Sequence, residues 1–279
     1  VREIVQRSEP LTPYTAGELM SVLAQLAMFA DAQGYPPGAE SWLSRELIER
    51  FILVGTNASK CSRGNYRTKL HRLREAVLGP DCQTGKPVKL SAATAAKPYT
   101  DSEVARLWYW ADGQPTDELR AGCRLLLCLG RGCGLDSPEI IPLRAHDIRR
   151  PGNGAAVVHI RGRRERQVVC RRAWERPLLH EAARFDGQVS YLFRPRSGAR
   201  GKNTVTNFLA RCHHAPSTPT LVMGRLRATW LVELIEQCVP LPVIVAAAGL
   251  DTLHGLSRIL PHVRGMAAGP AADLLRGDL

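Results

Sequence analysis

Between Gly79 and Pro98 the chain carries Gly79-Pro80, Gly85-Lys86-Pro87 and an Ala/Thr run ending at Pro98, with no helical or strand period. This break divides the 279 residues into a first part with helical patterns only and a larger part that mixes helical and strand patterns. Residues 1–80 are expected to form one domain, 81–98 a linker and 99–279 a second domain. With 44% hydrophobic residues, the chain can bury a substantial core. Its longest apolar run, around Pro240 to Leu250, is too short to span a bilayer and is interrupted by Pro240 and Pro242. The opening Val1-Arg2-Glu3 carries an acidic residue and lacks the apolar core of a signal peptide, so none is expected. The expectation is a soluble cytoplasmic protein without a membrane partner.

In the first part, Leu19, Val22, Leu23, Leu26 and Phe29-Ala30 follow i, i+3, i+4, i+7 spacing, which predicts an amphipathic helix within 12–33. Gly34-Tyr35-Pro36-Pro37-Gly38 ends it. Ser44 reads as the N-cap of a helix through Leu53, with Glu46 in its first turn. A third helix is expected from Ser62 to Val77, burying Tyr66, Leu70, Leu73 and Val77. Lys60, Arg63, Arg67, Lys69, Arg72 and Arg74 lie in or beside it and make its other face basic.

In the second part, Thr100 and Glu103 form a capping box for a helix through Trp110. A helix over Asp117–Arg131 follows, with Leu125, Leu126, Cys128 and Leu129 inward. Ser137 is expected to cap a short helix with Pro138 at its first position. Ala156–Ile160 and Gln167–Cys170 read as strands, joined as a hairpin by Arg161–Arg166. Further helices are expected over Trp174–Phe185, Thr204–His213, Arg225–Cys238, Pro242–Ala248 and Leu253–Leu260. The last ten residues, which include Gly277, are expected to fray.

The net charge is +12, and its distribution is uneven. Sixteen Lys and Arg against four Asp and Glu lie between Arg150 and Arg227, so this stretch holds the whole excess. A confined basic excess is the electrostatic footprint of a polyanion partner. Aromatic residues make up 6%, too few for single-strand stacking platforms. Cys123, Cys128 and Cys133 are five apart and turn about 140° per step on a helix, so they share no face. Cys212-His213-His214 has no second ligand pair at metal spacing. No metal and no cofactor is expected, and the thiols are expected reduced and mostly buried.

Three boxes then stand in order: Gly134-Leu135-Asp136-Ser137-Pro138-Glu139-Ile140, Gly224-Arg225-Leu226-Arg227-Ala228-Thr229 and Ala248-Gly249-Leu250-Asp251. With the opening Lys97-Pro98-Tyr99-Thr100-Asp101-Ser102-Glu103-Val104 and the hairpin, they resemble the tyrosine recombinases (phage integrases) along almost the whole chain. The resemblance implies a mainly α (α+β) protein. A SAM-like helical core-binding domain would come first, then a catalytic-like domain with a small antiparallel sheet.

The family's chemistry is phosphoryl transesterification by a tyrosine, with two arginines on the phosphate and other side chains moving protons. Fixed cations stabilise charge developing on phosphate oxygens, and a protein nucleophile splits the reaction into two steps. In this chain the first arginine position is Asp136, of the wrong sign. The hairpin lysine position is Arg163, a poor proton donor. The two histidine positions are Gly224 and Leu250, and the second arginine is kept as Arg227. The tyrosine position falls on Ile259, or on Leu260 with a one-residue shift, and the last tyrosine of the chain is Tyr191.

The resemblance, so altered, implies a catalytically inactive protein that binds double-stranded DNA sequence-specifically, as a transcriptional regulator or a recombination accessory factor near the nucleoid. The expected contacts are Lys60, Arg63, Arg67, Lys69 and Arg72 from the helical domain. From the basic stretch they are Arg161, Arg163, Arg164, Arg166, Arg171, Arg172, Arg200, Lys202, Arg225 and Arg227. The protein would act as a homo-oligomer on DNA or in a mixed assembly with an active recombinase. Two alternatives stand beside this reading: a working recombinase with an unrecognised nucleophile or an active partner subunit, and a protein-interaction module without DNA binding.

Overall fold

The computed structural model describes residues 1–80, 96–152, 154–162, 164–184, 190–198 and 200–277, apart from the side chains of Pro10, Lys60, Cys61 and His254. The chain divides into two compact units, Val1–Thr94 and Ala95–Leu279.

Among the described residues of the first unit the regular elements are all helices. Helix α1 (Arg2–Ser8) was not foreseen from the pattern. Helix α2 (Ala16–Ala32) starts at a capping box of Thr15 and Glu18 and buries Leu19, Val22, Leu23, Leu26 and Ala30, the predicted stripe. After the short α3 (Ala39–Trp42), the Ser44 hydroxyl accepts from the Leu47 amide and starts α4 (Arg45–Arg50). A π-helical turn, Phe51–Gly55, extends α4. Helix α5 (Lys60–Leu78) is capped by Ser59 and closes the core with fully buried Leu70 and Leu73.

In the second unit, α6 (Asp101–Asp112) opens on the predicted Thr100–Glu103 box, with the Thr100 amide donating to Glu103 Oε2 at 2.8 Å. Helix α7 (Asp117–Leu127) runs into a π-helical turn, Cys128–Gly132. Leu125, Leu126, Cys128 and Leu129 are all buried. The short α8 (Ser137–Ile140) corrects one expectation: its N-cap is Asp136, not Ser137, so Pro138 is its second residue. The capping box places Glu139 back on the Asp136 amide at 2.9 Å. The register shifts by one because only residue 136 has its partner carboxylate three positions on.

Strands β1 (Ile148–Arg149), β2 (Val157–Ile160) and β3 (Arg166–Val169) form an antiparallel sheet in the order β1-β2-β3. The β2–β3 register sets Val158 opposite Val168 and Ile160 opposite Arg166. Directly opposed residues share a face, so Arg166 projects to the inward side with buried Ile160 and Val168.

The remaining helices are α9 (Arg172–Ala183), α10 (Thr204–Leu209), α11 (Met223–Glu236), α12 (Leu241–Ala248), α13 (His254–Ser257) and α14 (Ala268–Arg276). Helix α11 is the centre of this core and buries Leu226, Ala228, Trp230, Leu231 and Leu234 along with Arg227. Both α10 and α13 are shorter than expected. Helix α14 stands where fraying was expected. It buries no residue and leaves Leu275 exposed. No helix among the described residues is long and apolar enough to cross a membrane.

Candidate phosphate pocket and nucleic-acid interface

The pocket is assembled from four short pieces of the second unit. Gly134 ends the helix before it in the left-handed conformation, at φ +65°. There it directs its carbonyl at Arg227, one and a half turns into α11. Gly249, also left-handed, ends α12 and brings the Ala248 carbonyl to the same guanidinium. Arg227 Nη1 donates to Gly134 O and Nη2 to Ala248 O. Its Nε lies 3.6 Å from Asp136 Oδ2, and its Nη1 lies 3.7 Å from Glu139 Oε2.

A second arginine reaches this cluster from the sheet. Arg166 Nε donates to Ala247 O at 2.7 Å, and Nη1 lies 2.8 Å from Glu139 Oε1. A Cβ at Gly249 would come within 2.7 Å of the Arg166 guanidinium, and the left-handed backbone there favours glycine. Arg166 thus brings a second cation to the carboxylate that Arg227 faces. The sequence signal for it was the strand period: residues 166, 168 and 170 alternate to one face, and Val168 and Cys170 are buried.

Asp136 is both a helix cap and a neighbour of Arg227. Burial raises its carboxyl pKa above the ordinary value, and Arg227 pulls the other way without cancelling the shift. A raised folded-state pKa means that folding favours the protonated form of Asp136 relative to the unfolded chain. Its contribution to stability is complete below the ordinary Asp value and is lost as pH rises through the folded-state value. Asp136→Asn is therefore expected to be more stable than the native chain at neutral pH. Chemical denaturation curves should show that advantage shrinking toward pH about 4.

The other altered positions are plain in the structure. Gly224 is exposed, and a Cβ there would meet no atom within 4 Å. Leu250 packs against the core. Ile259 is a core residue at 7% exposure, and Leu260 is exposed. Arg163 lies outside the described residues, as does the Lys60 side chain.

The expected DNA contacts separate into two groups. Arg63 donates to the carbonyls of Ala58 and Thr56, and Arg67 pairs with Glu49 at 2.6 Å. Lys69 pairs with Glu18. Arg171 joins Glu233 and Gln237. Arg200 lies 3.5 Å above the Tyr191 ring and donates to three carbonyls. Arg225 stacks on Tyr99, pairs with Glu103 and donates to Lys97 O, fastening the start of α6 to α11. These side chains are committed to the fold. Arg164, Arg172 and Lys202 are exposed, with no hydrogen bond or ion pair from their side chains among the described residues. Arg72 and Arg161 are mostly exposed while paired with Glu75 and Asp147.

Cys123 Sγ lies 3.5 Å from Cys212 Sγ, both buried. The His213 carbonyl accepts from Trp110 Nε1, and the His214 ring stacks on Trp110. Among the described residues no group of three or more His, Cys, Asp or Glu is placed to hold a metal ion.

No protein-family model and no curated protein matches the sequence. Solved structures do match in three dimensions. A transposon integrase (Tn1549) in complex with transposon right end DNA superposes with a TM-score of 0.58 at 13% identity, covering 92% of this chain and 99% of that one. XerH site-specific recombinase bound to a palindromic difH substrate, a post-cleavage complex, gives 0.57 at 17% identity over 90% of this chain and 76% of that one. The fold is that of the tyrosine recombinases. On the tyrosine-recombinase fold the three sequence boxes converge on one place, since Gly134, Asp136, Glu139, Arg227 and Ala248 are all mutual neighbours through Arg227.

Proposed function

We propose that this chain binds double-stranded DNA on a tyrosine-recombinase fold and holds it without cutting it, as a sequence-specific regulator or a recombination accessory factor. The observation that carries this reading is Ile259. The position expected of the nucleophile is a buried core isoleucine, and the sequence has no tyrosine after Tyr191. The pocket supports it. Arg227 spends two donors on backbone carbonyls and faces two carboxylates, so little of its charge is left for a scissile phosphate. The solved structures named above are complexes with DNA, and the basic excess between Arg150 and Arg227 fits the same partner. On DNA the protein acts as a homo-oligomer or beside an active recombinase.

Exposed cations then carry the backbone contacts: Arg72, Arg161, Arg164, Arg172 and Lys202. Duplex affinity is expected to fall log-linearly with salt, with a slope near −0.9 per phosphate neutralised. Arg164→Ala or Lys202→Ala should each weaken binding across all sequences and flatten the slope by about one. A nicked suicide duplex should yield no covalent protein–DNA species on denaturing gels. A covalent species would end the inactive reading, and salt-independent or absent duplex binding would end the DNA reading.

A further inference from the structure

Two buried thiols from distant parts of the chain meet in the larger unit. Cys123 lies in α7 at 0% exposure, and Cys212 lies just after α10 at 7%. Their sulfurs are 3.5 Å apart. Local physics brings them together. Gly122 has no side chain, and a Cβ there would come within 2.3 Å of the Phe208 ring, so α10 lies close on α7. The turn after α10 carries its course onward, with the Arg211 amide donating to Phe208 O at 3.0 Å and the Cys212 amide to Leu209 O at 3.1 Å. Cys212 thus stands about one turn beyond Phe208, against Cys123, the residue after Gly122. The next residue is fixed as well. The His213 amide donates to Gln114 Oε1 at 2.9 Å, and Gln114 Nε2 donates to His213 O at 3.0 Å. Cys212 is therefore held from both sides, by α10 and by the turn between α6 and α7.

The two sulfurs differ in character. The Cys212 thiol donates to the Phe208 carbonyl at 3.6 Å, which leaves the Cys123 thiol to donate to the Cys212 sulfur. That hydrogen bond, with the Arg211 charge, lowers the pKa of Cys212 against its burial, while the same bond and burial raise that of Cys123. Cys212 is also nearer to solvent, since residues 213–217 after it are all exposed. Cys212 suits the attacking thiol and Cys123 the resolving one.

We propose that Cys123 and Cys212 form a redox-responsive dithiol, which a small-molecule disulfide of the glutathione type converts to an internal disulfide. The Cys212 thiolate attacks one sulfur of the small disulfide, breaking its S–S bond and releasing one glutathione. The Cys123 sulfur, giving up its proton, then attacks the Cys212 sulfur and releases the second. Two protein thiols lose two electrons and two protons, and one small disulfide becomes two thiols. The crosslink closes a loop that holds α8, β1, β2, β3, α9, α10 and most of the basic stretch, and fastens it to α7. Closing so long a loop restricts the unfolded chain and stabilises the fold. None of this depends on what the chain binds.

The test incubates the full chain with oxidised glutathione, without denaturant, and maps disulfides by mass spectrometry of unreduced peptides. The expected main product is a peptide pair joined at Cys123 and Cys212, with two hydrogens lost and no glutathione added. Exposed Cys238 is expected to take up glutathione and serves as the internal control. Cys123→Ser should trap the first step as a glutathione adduct on Cys212, and Cys212→Ser should leave Cys123 unmodified. The oxidised native chain should melt about 5–10 °C higher than the reduced one, and dithiothreitol should reverse the shift. The native chain alone carries both readouts, so a serine variant that folds poorly leaves them standing. Cys238 modified while Cys123 and Cys212 stay free overturns the proposal. So does a crosslink that forms only in denaturant, or one that leaves the melting temperature unmoved or lower.

Discussion

Arg227→Ala is expected to cost the larger unit about 3–5 kcal/mol, the range for removing one partner of a buried charge cluster. Arg164→Ala should stay within about 0.5 kcal/mol of the native chain. The difference follows from what each guanidinium does. Arg227 is 8% exposed in the middle of the core helix α11. Its two terminal nitrogens hold Gly134 O and Ala248 O, so one side chain ties the segment before α8 to the end of α12. Alanine leaves both carbonyls without that donor and Asp136 without its nearest cation, while Glu139 keeps Arg166. Lysine keeps the charge but not the fork and cannot hold two divergent carbonyls at once, so Arg227→Lys should fall between native and alanine. Urea unfolding decides this. If Arg227→Ala leaves stability within about 0.5 kcal/mol and lowers only duplex affinity, the arginine is free to serve DNA and the pocket is less closed than its contacts imply.

Much of the fold was legible because local physics and global packing agree. The Thr100–Glu103 box, the Ser44 cap and the α2 stripe are each written in a few adjacent residues and form as written, whereas the β2–β3 hairpin forms with Arg166 drawn out of the expected turn into β3. The pocket was only half legible. Asp136 in sequence is an acid in an arginine's place, and its job as the N-cap of α8 emerges only with Glu139 folded back on it. Arg166 was read as one of many cations in a basic stretch. Its inward course depends on the register that sets it opposite Ile160, a property of two strands rather than of one. The same limit applies to Arg63, Arg67, Arg200 and Arg225. Arginine looks the same in a sequence whether it faces solvent or ties carbonyls from distant segments, and their partners lie up to 128 residues away. Helix α14 has a short amphipathic pattern and ends at Gly277, which favoured fraying on composition alone.

Gly134→Ala is expected to destabilise the larger unit by roughly 3 kcal/mol, combining a left-handed cost of about 1–2 kcal/mol with overpacking of about 1–3 kcal/mol. At φ +65° any L side chain is strained, and a Cβ there would lie 2.2 Å from the Trp230 ring. Neither side can yield cheaply. Trp230 is 2% exposed on α11, one turn from Arg227, and the Gly134 and Leu135 amides close the preceding helix on Gly130 O and Leu129 O. For a unit of this size the melting temperature should drop by about 6–12 °C. Gly64→Ala is the control, because Gly64 lies within α5 with no atom within 4 Å of a Cβ. That change should stabilise by roughly 0.5–1 kcal/mol, the ordinary helical preference for alanine. If the two substitutions move the melting temperature alike, glycine at 134 is incidental. If they part in sign, the carbonyl that grips Arg227 is held in place by a backbone conformation only glycine takes there. The shape of the pocket around Arg227 then depends on residue 134 as much as on the charges that line it.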